Sequence, residues 1–462
     1  MMLIPLGLSI WAGGDVRPFS YSFFITAGCG TAAFLISPKS NRDLTQRESL
    51  LLVVLLWVSI CIFGALPFYF SSSFLSFTDA FFESVSGFTT TGATVLDDLE
   101  KLSYDLHFWR CFSHWIGGMG IVLLGIAILP LLGLGGMPLY RAQFSGVRSE
   151  KLKPRITQTV QALWKIYFLL TFLEFLALTL AGMSPFEAIC HTFSTLGTGG
   201  FSTRTASIAA FKSPLIEYIV ILFMLLAGIN FTLHYQLWVE RRLRSIWSDV
   251  EVRLYLIMVG AVTLVVSASL VWQNHYPGSM AIRKALFQVS SIITTTGFIT
   301  DDFAQWFPLP QLMLLVLMFM GGCTGSTAGG LKSYRILLLF KVVSRVFKGI
   351  IEPKGIFAVR VGSQVIPEST IQSLLNLVYL SFLINFAGCL LLASSGVDVM
   401  TSIASVAATM FNIGPGLGNV GPLENYGHLP SLAKWVLSFC MLAGRLEFYT
   451  VLVIFIPAFW RK

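Results

Sequence analysis

Charged side chains are scarce in this sequence. Only 12% of its 462 residues are Asp, Glu, Lys or Arg, about half the fraction usual in soluble domains, whereas 55% are hydrophobic. So few polar residues could not cover the surface of an ordinary soluble protein. We therefore expect a polytopic membrane protein, with the lipid bilayer as its surroundings.

Cysteine pairs and catalytic motifs are also missing. The seven cysteines are scattered through apolar sequence without a CxxC pair, so neither a disulfide framework nor a zinc site is indicated. The sequence contains no HExxH motif and no recognisable combination of nucleophile and base. We expect no enzyme and no covalent cofactor.

Long apolar runs dominate instead. A helix needs roughly 20 mostly apolar residues to cross the hydrocarbon core, whereas a membrane barrel would show short alternating segments. The N-terminal residues lack a basic leader and are interpreted as a retained membrane segment. Sufficiently long runs occupy residues 49–70, 160–183, 214–238, 252–272, 370–394 and 435–459.

The net charge of +8 comes from cations that cluster in particular connections. The positive-inside rule places these connections in the cytoplasm and the acidic ones outside. A docking surface for a cytosolic partner is a second interpretation of the basic connections, and nucleic acid is not expected as a partner. The basic connections contain Lys39, Arg42, Arg47; Arg141, Arg148, Lys151, Lys153, Arg155; Arg241, Arg242, Arg244, Arg253; and Lys332, Arg335, Lys341, Arg345, Lys348, Lys354, Arg360. The acidic ones contain Asp97, Asp98, Glu100, Asp301, Asp302 and Glu424.

A short string rich in glycine and threonine recurs four times. Its copies are "GFTTTGAT" at 87–94, "FSTLGTGG" around Gly197, "ITTTGFIT" around Gly297 and "FNIGPGLG" around Gly414. Each copy falls between two long apolar segments, which predicts four copies of a unit made of helix, short segment and helix. Aligned on the four glycines, the preceding two positions are Thr90-Thr91, Thr195-Leu196, Thr295-Thr296 and Asn412-Ile413.

The apolar stretch before each string is too short to cross a bilayer and is typical of a re-entrant helix. In the second copy Ser184 and Pro185 predict an N-cap and the first helical residue, and Glu187 predicts a capping box. Asp79 and Thr401 are the caps expected in the first and fourth copies. If these helices enter from outside, their negative C-terminal ends point toward the membrane centre and favour a cation there.

Four such strings on one axis would form a ring of backbone carbonyls. Non-helical backbone at membrane depth must be buried in protein or line a wet cavity. Carbonyl oxygens can replace the hydration shell of a monovalent cation, and glycine permits the backbone angles that turn them inward. A helix-packing patch would explain any single string equally well, but four copies in register favour a pore.

The stretch 321–330, "GGCTGSTAGG", predicts a helix break, since each glycine weakens a helix by roughly 1 kcal/mol. It is not a nucleotide-binding loop, because Leu331 separates Gly330 from Lys332. Either a flexible kink or a functional loop fits the break.

Arg445 lies inside the last apolar segment, where a cation needs a partner or a wet cavity. There its charge would oppose cation passage. A structural salt bridge, for example with Glu174, is the alternative.

The repeated pattern of helix, pore helix, loop and helix resembles the superfamily of Trk, Ktr and HKT potassium transporters, and most of all the bacterial TrkH type. The resemblance covers most of the chain. It is carried by "DAFFESVSGFTTTGAT" (79–94), "WIGGMGIVLLGIAILPLLGLGGMPLYRA" (115–142), "HTFSTLGTGGFST" (191–203), "GGCTGSTAGGLK" (321–332), "FNIGPGLG" (411–418) and "AGRLEFYT" (443–450).

The resemblance implies an all-α membrane protein with N-terminal helices in residues 1–48 and four repeats around a pseudo-fourfold pore. The repeats are predicted at 49–142, 158–242, 250–348 and 368–462. The implied K⁺-binding selectivity filter comprises Thr90, Thr91, Gly92, Thr195, Leu196, Gly197, Thr295, Thr296, Gly297, Asn412, Ile413 and Gly414. The implied gate comprises Gly325, Ser326, Thr327, Gly329, Gly330 and Arg445.

The resemblance further implies K⁺ uptake across the bacterial inner membrane. A homodimer would bind a cytosolic TrkA-type regulatory subunit, so that ATP or NAD acts only through that partner. The alternative is a symporter that couples K⁺ to H⁺ or Na⁺. Inverted repeats would suit a symporter, whereas the repeats of this chain all run in the same direction.

Overall fold

The computed structural model of the chain describes residues 1–37, 45–124, 156–242, 244–362 and 364–461. Two features named in the sequence analysis lie outside these residues. They are the predicted end of the first repeat at 125–142 and the cations Lys39, Arg42, Arg141, Arg148, Lys151, Lys153 and Arg155.

Helices make up most of the described structure. Five of them are long and apolar enough to cross a membrane, and two bent pairs raise the number to as many as seven. The prediction of an all-α polytopic fold is confirmed.

The helices are named in chain order and grouped by the predicted repeat in which each falls. The N-terminal pair is α1 (Leu3–Trp11) and α2 (Arg17–Ile36). The first repeat contains α3 (Gln46–Tyr69), α4 (Phe77–Phe88) and α5 (Tyr104–Leu123). The second contains α6 (Ile156–Leu180), α7 (Pro185–Leu196), α8 (Pro214–Ala227) and α9 (Phe231–Trp238). The third contains α10 (Arg244–Ser248), α11 (Val250–Trp272), α12 (Gly278–Ile293), α13 (Pro308–Met318) and α14 (Ser333–Ile351). The fourth contains α15 (Glu368–Ser394), α16 (Val399–Met410), α17 (Ser431–Arg445), α18 (Phe448–Leu452) and α19 (Pro457–Trp460).

Strands β1 (Arg360–Val361) and β2 (Gln364–Val365) form a small antiparallel hairpin between the third and fourth repeats. Single 3₁₀ turns occupy Leu99–Lys101, Ser207–Phe211, Phe303–Gln305, Gly418–Val420 and Val453–Phe455.

Short helices α4, α7, α12 and α16 form the centre of the molecule. Each packs against the long helix that precedes it, and its C-terminal half is buried. Their length, 12 to 16 residues, is too small for a span, as predicted for re-entrant helices. The longer helices surround them and carry many of the exposed apolar side chains.

The starts of these short helices correct two predicted caps. Ser76 caps α4 and Asp398 caps α16, and each accepts the backbone N–H three residues later, from Asp79 and Thr401 respectively. In α7 the predicted cap is present, because Ser184 accepts the N–H of Glu187. The predicted capping box is not formed, because the Glu187 carboxylate accepts from the Ser184 hydroxyl, at 2.8 Å, and not from the Ser184 backbone N–H. In each of these three helices the side chain of the N-cap residue therefore accepts one of the free backbone N–H groups of the first turn.

Candidate ion pore and intramembrane loop

Each short central helix ends in the same backbone conformation. Two residues after the last helical residue, a non-glycine residue adopts a positive φ, and two residues later a glycine does the same. The non-glycine residues are Thr90 (55°), Thr198 (53°), Thr295 (54°) and Asn412 (57°). The glycines are Gly92 (82°), Gly200 (80°), Gly297 (79°) and Gly414 (97°).

The hydrogen bonds at these ends also repeat. The N–H of Thr90 donates to the carbonyl of Gly87 at 3.1 Å, and the N–H of Thr91 to that of Ser86 at 2.8 Å. This is the pattern that closes a helix with a left-handed residue just beyond it. The equivalent pairs are Thr198 to Thr195 and Gly199 to Ser194, Thr295 to Ile292 and Thr296 to Ser291, and Asn412 to Thr409 and Ile413 to Ala408.

These positions correct the predicted register of the second repeat by three residues. Gly197 is the C-cap of α7 and has a negative φ, and Thr195 and Leu196 belong to the helix itself. The segment equivalent to Thr90-Thr91-Gly92 is therefore 198–200. Alignment on the glycine of "LGTGG" chose the wrong one because Gly197 caps a helix, a role in which glycine is also common. The sequence contained a signal for the correct register, because Gly200 and Gly297 are both followed by phenylalanine.

The four segments contact one another in cyclic order. A Cβ atom added to Gly92 would collide with the carbonyl oxygen of Gly199, in the second segment. Each further ring glycine approaches a backbone oxygen of the next segment in the same way. The fourth segment approaches the first and closes the cycle, since a Cβ on Gly414 would lie 2.7 Å from the carbonyl oxygen of Thr91. The intermediate pairs are Gly200 with the Thr296 oxygen and Gly297 with the Ile413 oxygen. Backbone thus packs against backbone around a closed ring, which we call the filter ring (residues 90–92, 198–200, 295–297 and 412–414).

Threonine hydroxyls support two quarters of the filter ring from behind. Thr89 donates to the carbonyl of Val85 at 2.6 Å, and its oxygen lies 2.8 Å from that of Thr91. Thr294 and Thr296 repeat this arrangement at the same 2.8 Å separation. The other two quarters have Gly197 and Phe411 in place of the first threonine. The hydroxyls are therefore one way of supporting the turn, and the backbone is the common feature.

An opening lies at the glycine end of the filter ring. All four ring glycines line it, together with the acidic residues Asp97 and Glu424 of the predicted outer connections. Nearby, the Lys101 ammonium lies 2.7 Å from Asp98, and this hydrogen bond lowers the pKa of that carboxyl. Arg110 and Arg204 also line the opening, but each is paired with a carboxylate, that of Glu83 or Glu187. Asp97 and Glu424 therefore give this mouth a negative contribution that attracts cations.

The predicted helix break is present between α13 and α14. Residues 319–332 form an irregular loop in which Gly321, Gly325 and Gly330 have positive φ values of 88°, 77° and 73°. The loop contacts the other end of the filter ring, because the N–H of Gly329 donates to the hydroxyl of Thr295 at 2.7 Å. A Cβ on Gly329 would collide with the carbonyl oxygen of Phe411. The loop therefore lies directly beneath two of the four quarters.

A buried carboxylate joins the interior of this intramembrane loop to the start of the helix that follows it. One oxygen of Glu251 accepts from the N–H of Thr324 at 2.7 Å, from its hydroxyl at 3.0 Å and from the N–H of Tyr334 at 3.0 Å. Glu251 is at the start of α11 and is 8% exposed. Sequence reasoning missed this residue, because an acidic residue in the first turn of a helix is common at any helix start.

The break between α8 and α9 provides a second attachment for the loop. The carbonyl of Gly228 accepts from the N–H of Cys323 at 2.8 Å, and the N–H of Phe231 donates to the carbonyl of Gly325 at 3.0 Å. The two helices meet at 102°. This bend frees backbone groups that the loop then satisfies.

Arg445 ends α17 and is 3% exposed. Its guanidinium donates to the carbonyl of Thr327 in the intramembrane loop at 2.8 Å and to that of Gly117 at 3.2 Å. The alternative salt bridge with Glu174 is not formed, because neither oxygen of that buried carboxylate has a hydrogen-bond partner among the described residues. Glu447 pairs with Arg335 instead, at 2.9 Å. Arg445 therefore joins the loop to helix α5 through carbonyl groups and keeps its charge uncompensated by any described carboxylate.

The comparisons with known proteins agree with this arrangement. A family profile described as TrkH, cation transport protein, matches residues 19–462. The chain belongs to the TrkH family. The predicted resemblance is thereby confirmed, and the family is one of transporters rather than enzymes.

Relatives in the TrkH family align along the whole chain. The "Trk system potassium uptake protein TrkH" of Escherichia coli K12 is 43% identical over 465 residues, which cover 100% of this chain and 96% of that protein. The protein of the same name from Halomonas elongata is 41% identical, with the same coverage. The crystal structure of the potassium transporter TrkH from Vibrio parahaemolyticus superposes with a TM-score of 0.91 at 39% identity, covering 100% of this chain and 96% of that one.

Behind the filter ring of this TrkH-family chain lies a buried ion pair that sequence reasoning missed. Arg110 on α5 lies 2.8 Å from Glu83 on α4, and both are almost fully buried. The guanidinium also donates to the carbonyl of Ser202 at 3.2 Å and lies 4.1 Å from the centre of the Phe201 ring. The pair therefore ties the first quarter to the second. The sequence did contain a signal for this pair, because both residues are ionisable and lie inside apolar segments. Ionisable residues in such segments usually pair with one another or have a function.

Proposed function

We propose that this chain takes up K⁺ across the bacterial inner membrane through a single pore formed by its four repeats. The observation that carries the proposal is the cyclic contact of the four filter-ring segments, each turned by a glycine of positive φ. Rings of backbone carbonyls are the usual means of replacing the hydration shell of K⁺. The names of the relatives, which describe potassium uptake proteins, support the choice of K⁺.

In this proposal K⁺ binds at the filter ring and enters from the acidic mouth. The four segments are Thr90-Thr91-Gly92, Thr198-Gly199-Gly200, Thr295-Thr296-Gly297 and Asn412-Ile413-Gly414. The C-terminal ends of the four short helices point at the ring, and their partial negative charges stabilise a cation there. Transport follows the electrochemical gradient.

The intramembrane loop and Arg445 form the gate. The hydrogen bond from Gly329 to Thr295 supports this role, because it places the loop across the inner end of the ring. Arg445 adds a positive charge 2.8 Å from the loop carbonyl of Thr327, where it opposes passage of a cation. Within the gate, Gly325, Ser326, Thr327, Gly329 and Gly330 must move together for ions to pass.

Regulation is proposed to act from the cytoplasm. Two copies of the chain form a homodimer that binds a TrkA-type subunit, and ATP or NAD acts only through that subunit. The exposed cations of the described basic connections, such as Arg241 and Arg242, supply a surface for it. Pull-down of such a subunit, with a cross-linking measurement of the dimer, tests this part separately from transport.

Growth at low K⁺ tests the central proposal. We expect the chain to restore growth of a cell that lacks its own K⁺ uptake systems, and to restore K⁺ influx in flux measurements. A matched control carries Gly297→Arg, which fills the ring with a side chain where the backbone of Ile413 lies. Expression of the native chain in the membrane without any K⁺ influx would overturn the proposal.

Reversal potentials distinguish the pore from a symporter that couples K⁺ to H⁺ or Na⁺. For a pore the reversal potential follows the K⁺ gradient alone, whatever the pH or the Na⁺ gradient. A fixed shift with pH or Na⁺ would show obligatory coupling. We expect the first result, because the four segments share one ring.

A further inference from the structure

The connection that follows the fourth ring segment returns a tyrosine to the filter ring. The hydroxyl of Tyr426 donates to the carbonyl oxygen of Gly414 at 2.6 Å. The tyrosine is 2% exposed. A buried side chain thus bonds directly to a backbone oxygen of a ring glycine.

This contact distinguishes the fourth quarter from the others. Among the described residues, no side chain donates a hydrogen bond to the carbonyl of Gly92, Gly200 or Gly297. Gly414 also has a φ of 97°, whereas the other three lie between 79° and 82°. The residue that follows it is Pro415, which has no N–H with which to hold the turn. The tyrosine bond therefore occurs where the backbone departs most from the common geometry.

Tyr426 is itself held in place from the first repeat. Its N–H donates to the carbonyl of Thr94 at 2.8 Å, and its ring packs on Phe82 of α4 with centroids 5.5 Å apart. The residue before it, Asn425, donates to Asp97 at 2.7 Å. The hydroxyl is thus positioned by contacts that span the junction between the fourth and first quarters.

We propose that Tyr426 is a positioning residue that fixes the Gly414 carbonyl and thereby contributes to the discrimination between K⁺ and Na⁺. This inference rests on the proposed pore function. Selectivity depends on the number and field strength of the coordinating carbonyls. A carbonyl held by an O–H donor cannot tilt freely toward a smaller ion. Without the hydroxyl, the Gly414 oxygen can approach Na⁺ more closely.

Tyr426→Phe tests the proposal, because it removes the hydroxyl and keeps the ring on Phe82 and the backbone bond to Thr94. We expect the K⁺ to Na⁺ permeability ratio to fall by about fivefold, the effect of one neutral hydrogen bond. The K⁺ flux itself should persist. The measurement is the pair of K⁺ and Na⁺ fluxes in proteoliposomes that contain the full chain.

A matched control removes a different hydroxyl near the outer face. The hydroxyl of Tyr276 donates to the carboxylate of Asp301 at 3.0 Å and does not contact the filter ring. Tyr276→Phe should leave the permeability ratio unchanged. Gly92→Ser serves as the reference variant that alters the ring itself.

The outcomes distinguish a failure of the proposed role of Tyr426 from a failure of the proposed pore. If Gly92→Ser lowers the ratio and Tyr426→Phe does not, the role of Tyr426 is overturned and the pore stands. If neither variant changes the ratio, the proposed filter ring itself is overturned. A Tyr426→Phe protein that loses thermal stability but keeps the native ratio would also overturn the proposal, since the tyrosine would then be structural only.

Discussion

The glycines of the filter ring combine two requirements that can be separated by mutation. Gly200 has a positive φ, and a Cβ there would collide with the carbonyl of Thr296. Gly396 also has a positive φ, of 86°, but nothing lies within 4 Å of its Cβ position. Gly200 is therefore required because a side chain would not fit and because of its backbone conformation. Gly396 is required by its backbone conformation alone.

We expect Gly200→Ala to lower the K⁺ to Na⁺ permeability ratio at least tenfold, because the added methyl group displaces the neighbouring carbonyl. Gly396→Ala should keep the native ratio and lose only about 1–2 kcal/mol of stability, the cost of a left-handed L-residue. Paired flux measurements on both variants check this. Equal ratios for Gly200→Ala and the native chain would contradict the corrected register of the second repeat.

The charge of Arg445 can be separated from its hydrogen bonds by mutation. Arg445→Gln removes the charge and keeps an amide N–H donor on a shorter side chain, so we expect K⁺ conductance to rise severalfold. Arg445→Lys keeps the charge and should keep the low conductance. Single-channel or proteoliposome flux measurements distinguish them. Equal conductance of the Gln and Lys variants would mean that hydrogen bonding, rather than charge, forms the barrier.

At the scale of elements, Glu251 holds the intramembrane loop by joining Thr324, inside the loop, to Tyr334 at the start of α14. Bonds to a charged acceptor are roughly twice as strong as neutral ones. Glu251→Gln therefore weakens the attachment of Thr324 and Tyr334 while preserving side-chain volume. We expect the basal K⁺ flux, without any regulatory subunit, to rise about tenfold, which corresponds to ~1.4 kcal/mol.

Glu240→Gln is the control for that prediction. Glu240 forms a 3.4 Å pair with Arg242 on the surface and has no described contact with the loop. Its substitution should leave the basal flux at the native value. A Glu251→Gln protein with native or lower flux would show that the loop does not depend on this anchor for closure.

Closure of the four repeats into one molecule depends on contacts between the first and the last. Lys434 on α17 lies 2.6 Å from Asp79 on α4 and also donates to the carbonyl of Gly427 at 2.7 Å. The side chains of this pair are only 8% and 13% exposed. Removing one partner of such a pair leaves a poorly hydrated charge.

We expect Lys434→Met to lower the free energy of unfolding by about 2–4 kcal/mol and the Tm accordingly. Arg345→Met is the matched control, because Arg345 pairs at 2.6 Å with Glu368, whose side chain is 71% exposed. That surface pair should contribute less than about 1 kcal/mol. Thermal unfolding in detergent compares the two. A similar loss of Tm in both variants would show that the Lys434–Asp79 pair, which joins the last repeat to the first, contributes no more than a surface pair.

Much of the fold could be predicted from local chemistry. Apolar length indicated the spans, short apolar runs indicated re-entrant helices, and the glycines at 321–330 indicated the helix break. Ser184 was identified as a cap, while Ser76 and Asp398 were not, because Asp79 and Thr401 are equally good capping residues by type. Which polar residue caps a helix depends on where the chain turns, and neighbouring helices decide that.

The sequence by itself determined that this chain crosses a membrane, that its helices break at glycines, and that short segments turned by a glycine lie at 90–92, 295–297 and 412–414. Only the tertiary structure decided that Gly200, rather than Gly197, completes the ring. It also decided that Glu251 holds the intramembrane loop and that Tyr426 bonds to Gly414. The physical reason is the same in each case. Hydrophobicity and glycine preference act within a few residues, whereas these contacts join backbone and side chains that are about 12 to more than 90 positions apart.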